Sequence, residues 1–263
     1  MIVPALLVAG ALLGSTCAQA GLAASALEEL SLQPPAGARL PLQEQWRDED
    51  GAALTLGAAI DHHAALVVFA DFTCSTLCGP VVTFAADALV RSGLRPGADF
   101  KLIVLGIDPK DGPVEATRMK QVRIVDPQLR AASIFLTGDD AVIRRTAEAV
   151  GYRFAYDSEH DAFAHPAAAL VASGDGRIAR VLSGLGLTPD DLRLALVEAG
   201  QGRLGSLGDR LRLLCYGFDP TSGVYTLAVH RVVAIASGCV TLALVAMIAW
   251  LSLIPRMSSR SRL

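Results

Sequence analysis

The sequence predicts an α/β sandwich with a mixed central sheet, followed by a membrane helix. Three observations carry this reading. Residues 65–72 and 101–107 are nearly continuous apolar runs, the habit of strands covered on both faces. Helical stretches at 80–92, 114–122 and 139–150 alternate with them, which places helices against a largely parallel sheet. Residues 232–254 carry no charge at all, and that is enough helix to cross a hydrocarbon core of about 30 Å.

Composition agrees with a domain tied to a membrane. The chain has 263 residues, 52% of them hydrophobic and 5% aromatic, with a net charge of −3. Mean hydropathy is +0.43, high for a domain that lives only in water. Disordered chains lack this apolar content, and a dedicated nucleic-acid binder needs a basic surplus that is missing here.

Taken in order, residues 1–20 read as a signal peptide, with an apolar stretch at 2–13 and the small-x-small pattern Ala18-Gln19-Ala20 before Gly21. Residues 21–41, with Pro34-Pro35 and Gly37, read as a linker. The compact domain is expected over 42–200. It opens with a short hairpin around Asp48-Glu49-Asp50-Gly51 and continues through the strands and helices above, with a third strand at Ser133–Leu136. Residues 167–172 and 177–182 flank Gly174-Asp175-Gly176 as an antiparallel hairpin. Thr188 and Pro189 then cap a last helix that presents Leu192, Leu196 and Val197 on one face. A juxtamembrane segment at 201–230, a transmembrane helix at 231–254 and a tail at 255–263 complete the chain. Arg256, Arg260 and Arg262 put that tail in the cytoplasm by the positive-inside rule, so the domain is expected in the periplasm of a bacterium, held at the inner membrane.

Chemistry concentrates at two cysteines. Cys74 and Cys78 follow a strand, and Gly79-Pro80 then opens a helix. A thiol near a helix N-terminus faces unsatisfied N–H groups and the positive end of the dipole, which favours thiolate. Thiolates attack disulfides and bind soft metals, and a spacing of three intervening residues permits a disulfide, a redox couple or joint coordination of one ion. Among the five histidines, His165 is the best placed third ligand, because it ends a loop directly before a strand expected beside the cysteine strand. His62, His63, His160 and His230 fit turns, a solvated loop and a membrane interface. Asp71 stands before the cysteines as a charge that tunes the site or as a loop cap. Cys17 falls in the export segment, Cys239 in the membrane helix, and Cys215 has no assigned part.

Phe72-Thr73-Cys74-Ser75-Thr76-Leu77-Cys78, the strand ending in Gly106-Ile107-Asp108-Pro109, and His165 ahead of a strand-Gly-Asp-Gly-strand hairpin together resemble the SCO/SenC family. Leu214-Cys215-Tyr216-Gly217-Phe218-Asp219-Pro220 before a C-terminal span resembles a bacterial branch of it. The resemblance implies a thioredoxin-like three-layer sandwich that carries copper for cytochrome c oxidase assembly. It implies Cys74 and Cys78 as thiolate ligands and His165 as the imidazole ligand, with the copper-bearing oxidase subunit as partner. The alternative is a thiol-disulfide oxidoreductase that uses the Cys74/Cys78 pair to reduce an exported client. Two departures stand out. Gly79 occupies the place after the second cysteine where many family members have proline, and Pro166 stands where thioredoxins carry a cis-proline facing their redox cysteines.

Overall fold

In the computed structural model, residues 30–74, 78–158, 161–200, 216–219, 224–227 and 229–253 are described. The signal-peptide segment, the stretch 201–215 with Cys215, and the tail lie outside them, as do residues 75–77 and His160.

The elements run β1 (Ser31–Leu32), β2 (Gln45–Arg47), β3 (Ala53–Thr55), α1 (Leu56–Ile60), β4 (Ala64–Ala70), α2 (Cys78–Arg91), β5 (Phe100–Gly106), α3 (Pro113–Arg123), α4 (Pro127–Ala132), β6 (Ser133–Leu136), α5 (Asp140–Ala149), β7 (Tyr152–Arg153), β8 (Ala155–Asp157), β9 (Ala162–Ala164), β10 (Ala168–Ala172), β11 (Ile178–Ser183), α6 (Pro189–Ala199), β12 (Tyr216–Asp219), β13 (Val224–Leu227) and α7 (Val229–Leu253). A five-stranded sheet in the order β11-β10-β4-β5-β6 forms the centre. β4, β5 and β6 are parallel, and β10 lies antiparallel to both β4 and β11, so the sheet is mixed as expected.

β4 shows why the apolar run has no polar face. Every residue from Ala64 to Ala70 is buried. Leu66 and Val68 point into a core completed by Val82, Ala85 and Leu89 of α2 and Leu192 and Leu196 of α6. The alternate residues Val67 and Phe69 point into a second core with Trp46, Ile60, Ile143 and Tyr152. A strand whose side chains alternate between two covered faces must be apolar throughout. Helix, sheet and helix therefore make three layers.

The predicted hairpins form. Asp48 accepts hydrogen bonds through Oδ1 from the amides of Asp50 (3.0 Å) and Ala52 (2.8 Å), which closes the β2–β3 turn. Thr188 Oγ1 accepts from the Asp191 amide at 3.2 Å and caps α6. The stretch before residue 42 packs on the domain along part of its length: β1 pairs with β7, the Leu40 amide donates to Gly176 O at 2.8 Å, and Leu40 is buried.

α7 is one continuous helix of 25 residues. Its described side chains, at 237–238 and 240–250, are all exposed, including Leu242, Ile248 and Trp250. Among the described side chains, which for α7 cover only 237–238 and 240–250, no helical run is long and apolar enough to cross a membrane.

Candidate metal and thiol site

The parallel strands deliver their loops to one end of the sheet. β4 ends at Ala70, and the chain turns through Asp71 to Cys74 before α2 begins at Cys78. Asp71 is fully buried, and its carboxylate organises the turn. Oδ1 accepts from the Thr73 amide and hydroxyl, each at 3.0 Å, and from the Cys74 amide at 2.9 Å. Oδ2 accepts from the Phe163 amide at 3.2 Å, which ties the cysteine turn to β9. Asp71 is therefore a cap for the cysteine loop. A buried carboxylate that satisfies several N–H groups costs far less than an unpartnered one.

Asp71 belongs to a group of three. Its carboxylate and those of Asp108 and Asp111 lie within 4.8 Å of one another, all buried. Asp111 Oδ2 accepts from the Phe72 amide at 2.8 Å, and Asp108 Oδ1 accepts from the Lys110 amide at 2.8 Å. The loop that follows β5 thus braces the cysteine turn through Asp111. Burial, then the neighbouring charges of Asp71, Asp108 and Glu115, push the Asp111 carboxyl up to about 7. Gly106 at the end of β5 makes room for Phe72, since a Cβ there would lie 3.1 Å from the Phe72 ring.

His165 reaches the site through strand register. β10 runs antiparallel to β4 with Ala169 opposite Val68, so the residues just before β10 continue alongside residues 71–72. Cys74 and Ala167 pack against the same core cluster beneath α2. The structure thus brings His165, Cys74 and the first residue of α2, Cys78, to one end of the sheet. The Cys78 side chain is outside the described atoms.

The ring of His165 is anchored by a residue that sequence reasoning did not select. Tyr152 Oη lies 2.7 Å from His165 Nδ1 and donates to Pro166 O at 3.2 Å, while Nδ1 is itself 3.1 Å from Pro166 O. Tyr152 is buried and stacks on Phe69 of β4 with ring centroids 4.3 Å apart. Burial holds the His165 imidazole below its ordinary value of 6.5, so the ring is neutral at neutral pH and can act as a ligand. No peptide bond among the described residues is cis, so Pro166 does not repeat the cis-proline of thioredoxins.

Gly79 also has a physical reason. A Cβ at that position would lie 2.2 Å from Nη2 of Arg123, whose guanidinium covers the first turn of α2. The β8–β9 hairpin is tied to the loop after β5, where Lys110 Nζ and Tyr156 Oη meet Asp161 Oδ1 at 2.5 and 2.6 Å.

No family model and no curated protein matches the chain. Solved structures do. A SCO1/SenC family lipoprotein from Bacillus anthracis str. Ames is 17% identical with a TM-score of 0.55, over 64% of this chain and 99% of that one. BsSco, a member of the Sco family of cytochrome c oxidase assembly proteins described with a disulfide switch, is 20% identical with a TM-score of 0.52, over 65% and 98%. ScoI from Arabidopsis thaliana, with copper bound, is 15% identical with a TM-score of 0.52, over 64% and 99%. Sequence identity this low speaks for architecture alone, and the architecture of this chain is the thioredoxin-like Sco fold.

Proposed function

We propose that this chain is a member of the Sco1/SenC family that binds copper through Cys74, Cys78 and His165 and hands it to the copper-bearing subunit of a cytochrome c oxidase. The observation that carries the reading is His165, brought to the cysteine end of the sheet with Nδ1 already engaged by Tyr152 and Pro166. A plain thiol couple has no use for an imidazole fixed in this way. Two soft thiolates suit Cu(I), and an added imidazole lets the same donors hold Cu(II). The donor set therefore fits the metal carried by the Arabidopsis relative, and copper here is cargo.

The residues divide the work. Asp71 fixes the turn that presents Cys74, the N-terminus of α2 favours the thiolate of Cys78, and Tyr152 orients His165. Delivery requires an acceptor with its own thiolates, to which the cargo passes by ligand exchange.

The proposal includes a tether. α7, with residues 231–254 as the span, lies across a bacterial inner membrane, the domain stands in the periplasm, and the arginine-bearing tail is cytoplasmic. Support comes from the uncharged run at 232–254 and from the large apolar side chains that α7 exposes, such as Val245 and Met247. Tethering restricts the domain to clients in the same membrane.

Reduction of a client disulfide by Cys74 and Cys78 is the second reading, favoured by their place at the start of α2. Anaerobic titration of the reduced full chain in detergent separates the two. The copper reading expects one equivalent of Cu(I) or Cu(II) taken up, and a His165→Ala chain that loses Cu(II) affinity while keeping Cu(I). A reductase expects no saturable uptake and a client mixed disulfide trapped by Cys78→Ala.

A further inference from the structure

We infer that the outer face of α2 carries a docking groove for the thiol-bearing partner, and that the groove takes a segment of that partner in which a carboxylate stands beside a large apolar side chain. The inference rests on the proposed function and deepens it by naming the chemistry of the partner. It holds for copper transfer and for thiol reduction alike.

α2 is apolar on two sides. Val82, Ala85 and Leu89 belong to the core, whereas Phe84 and Val90 are 46% and 45% exposed. Val125, in the turn between α3 and α4, is 78% exposed and lines the same groove as Phe84 and Val90, a concavity of about 630 Å³. Apolar residues scattered singly over a surface are ordinary, but three that share one concavity mark a contact surface. The volume is that of a site which encloses side chains of a peptide.

Charge selects the occupant. Of the charged residues that line the groove, Asp87 is paired with Arg91, and Asp126 Oδ1 accepts from the Leu129 amide at 2.8 Å as the cap of α4. Arg123, the remaining one, has no hydrogen bond or ion pair among the described residues. A guanidinium holds a carboxylate through two parallel N–H bonds, so an acidic side chain is the complement it lacks. Its place says whose. The guanidinium covers Gly79, the residue after Cys78. A protein that exchanges copper or a disulfide with the cysteine pair must bring its own thiols to the start of α2, and the residues flanking them then reach Arg123 and the groove. An anionic bilayer is a poorer match, because Asp87 and Asp126 both line the same concavity.

The test uses the reduced, metal-free full chain with methyl-labelled valine in nanodiscs of zwitterionic lipid, and two blocked peptides, acetyl-Glu-Phe-Leu-amide and acetyl-Gln-Phe-Leu-amide. The acidic peptide is expected to shift the Val90 and Val125 methyl signals saturably and to bind about 3- to 5-fold tighter than the other, the measure of an exposed ion pair of good geometry. Arg123→Gln should remove that discrimination, and Val125→Asp should weaken both peptides. Absence of a saturable shift at the two valines, or equal binding of the two peptides by wild type, overturns the inference. So do shifts there when the chain is diluted without peptide, which mean a second copy, or when the lipid is made anionic, which mean the membrane. Discrimination between the peptides by a chain that takes up no copper in a separate titration leaves the groove standing and overturns the copper reading instead.

Discussion

On the cysteine side of the site the backbone is held by a buried carboxylate, Asp71, whereas on the histidine side the ring is held by a neutral hydroxyl, Tyr152. The difference follows from what each partner must hold. Amides of a tight turn need an acceptor, and a carboxylate offers several lone pairs at once; an imidazole nitrogen needs one partner of fixed position, and a hydroxyl can serve it as donor or acceptor. The two sides also answer pH in opposite directions. Asp111, beside Asp71, is held above its ordinary 3.8, so its protonated form is favoured in the fold and the stability it contributes is lost as pH rises through about 7. His165 is held below 6.5, so its contribution is present above that pH and is lost as pH falls.

The sharpest way to break the comparison is to remove the carboxylate. Asp71→Ala strips acceptors from the amides of Thr73, Cys74 and Phe163 and should cost about 4 kcal/mol in denaturant unfolding. Asp71→Asn keeps part of the network and should cost about half of that. A loss below about 1 kcal/mol for the alanine variant would mean that the turn is held by something else.

The pH contrast is next in size. Between pH 4 and 7 the difference in stability between wild type and Asp111→Asn should shift against wild type by about 3 kcal/mol, since only wild type has to ionise a buried carboxyl. The corresponding comparison with His165→Gln should run the other way, with wild type gaining as pH rises through 6.5. Parallel slopes in the two comparisons would contradict the assignment of opposite chemistry to the two sides.

Tyr152→Phe should be milder, about 1 kcal/mol in stability, because the Phe69 stack survives the loss of the hydroxyl. Gly79→Ala should be smallest. The methyl displaces the mobile end of Arg123, and a better helix former offsets the shift, so stability should stay within about 1 kcal/mol of wild type.

The central strands were legible because burial on both faces leaves no polar period, and β4, β5 and β6 fall within a residue or two of the runs that predicted them. Cys74, Cys78 and His165 were legible as chemical types at telling positions. Tyr152 was not. Its part depends on a two-residue strand, β7, held by β1, where Gly151 sits at φ 65° and a Cβ would meet Gln33 O at 2.1 Å. No local pattern announces such an approach between residues more than a hundred positions apart. The same holds for Asp111, whose bond to the Phe72 amide joins two loops through the β4–β5 register. Alternation and capping are local signals, whereas the supports of the site are tertiary.

X-ray absorption at the copper edge of the loaded full chain tests the central claim most directly. Cu(II)-loaded wild type should show two sulfur neighbours and one imidazole nitrogen, and His165→Ala should lose the nitrogen while both sulfurs remain. A nitrogen that persists in the variant, or a wild-type shell of oxygens without paired sulfur, would contradict a site built from Cys74, Cys78 and His165.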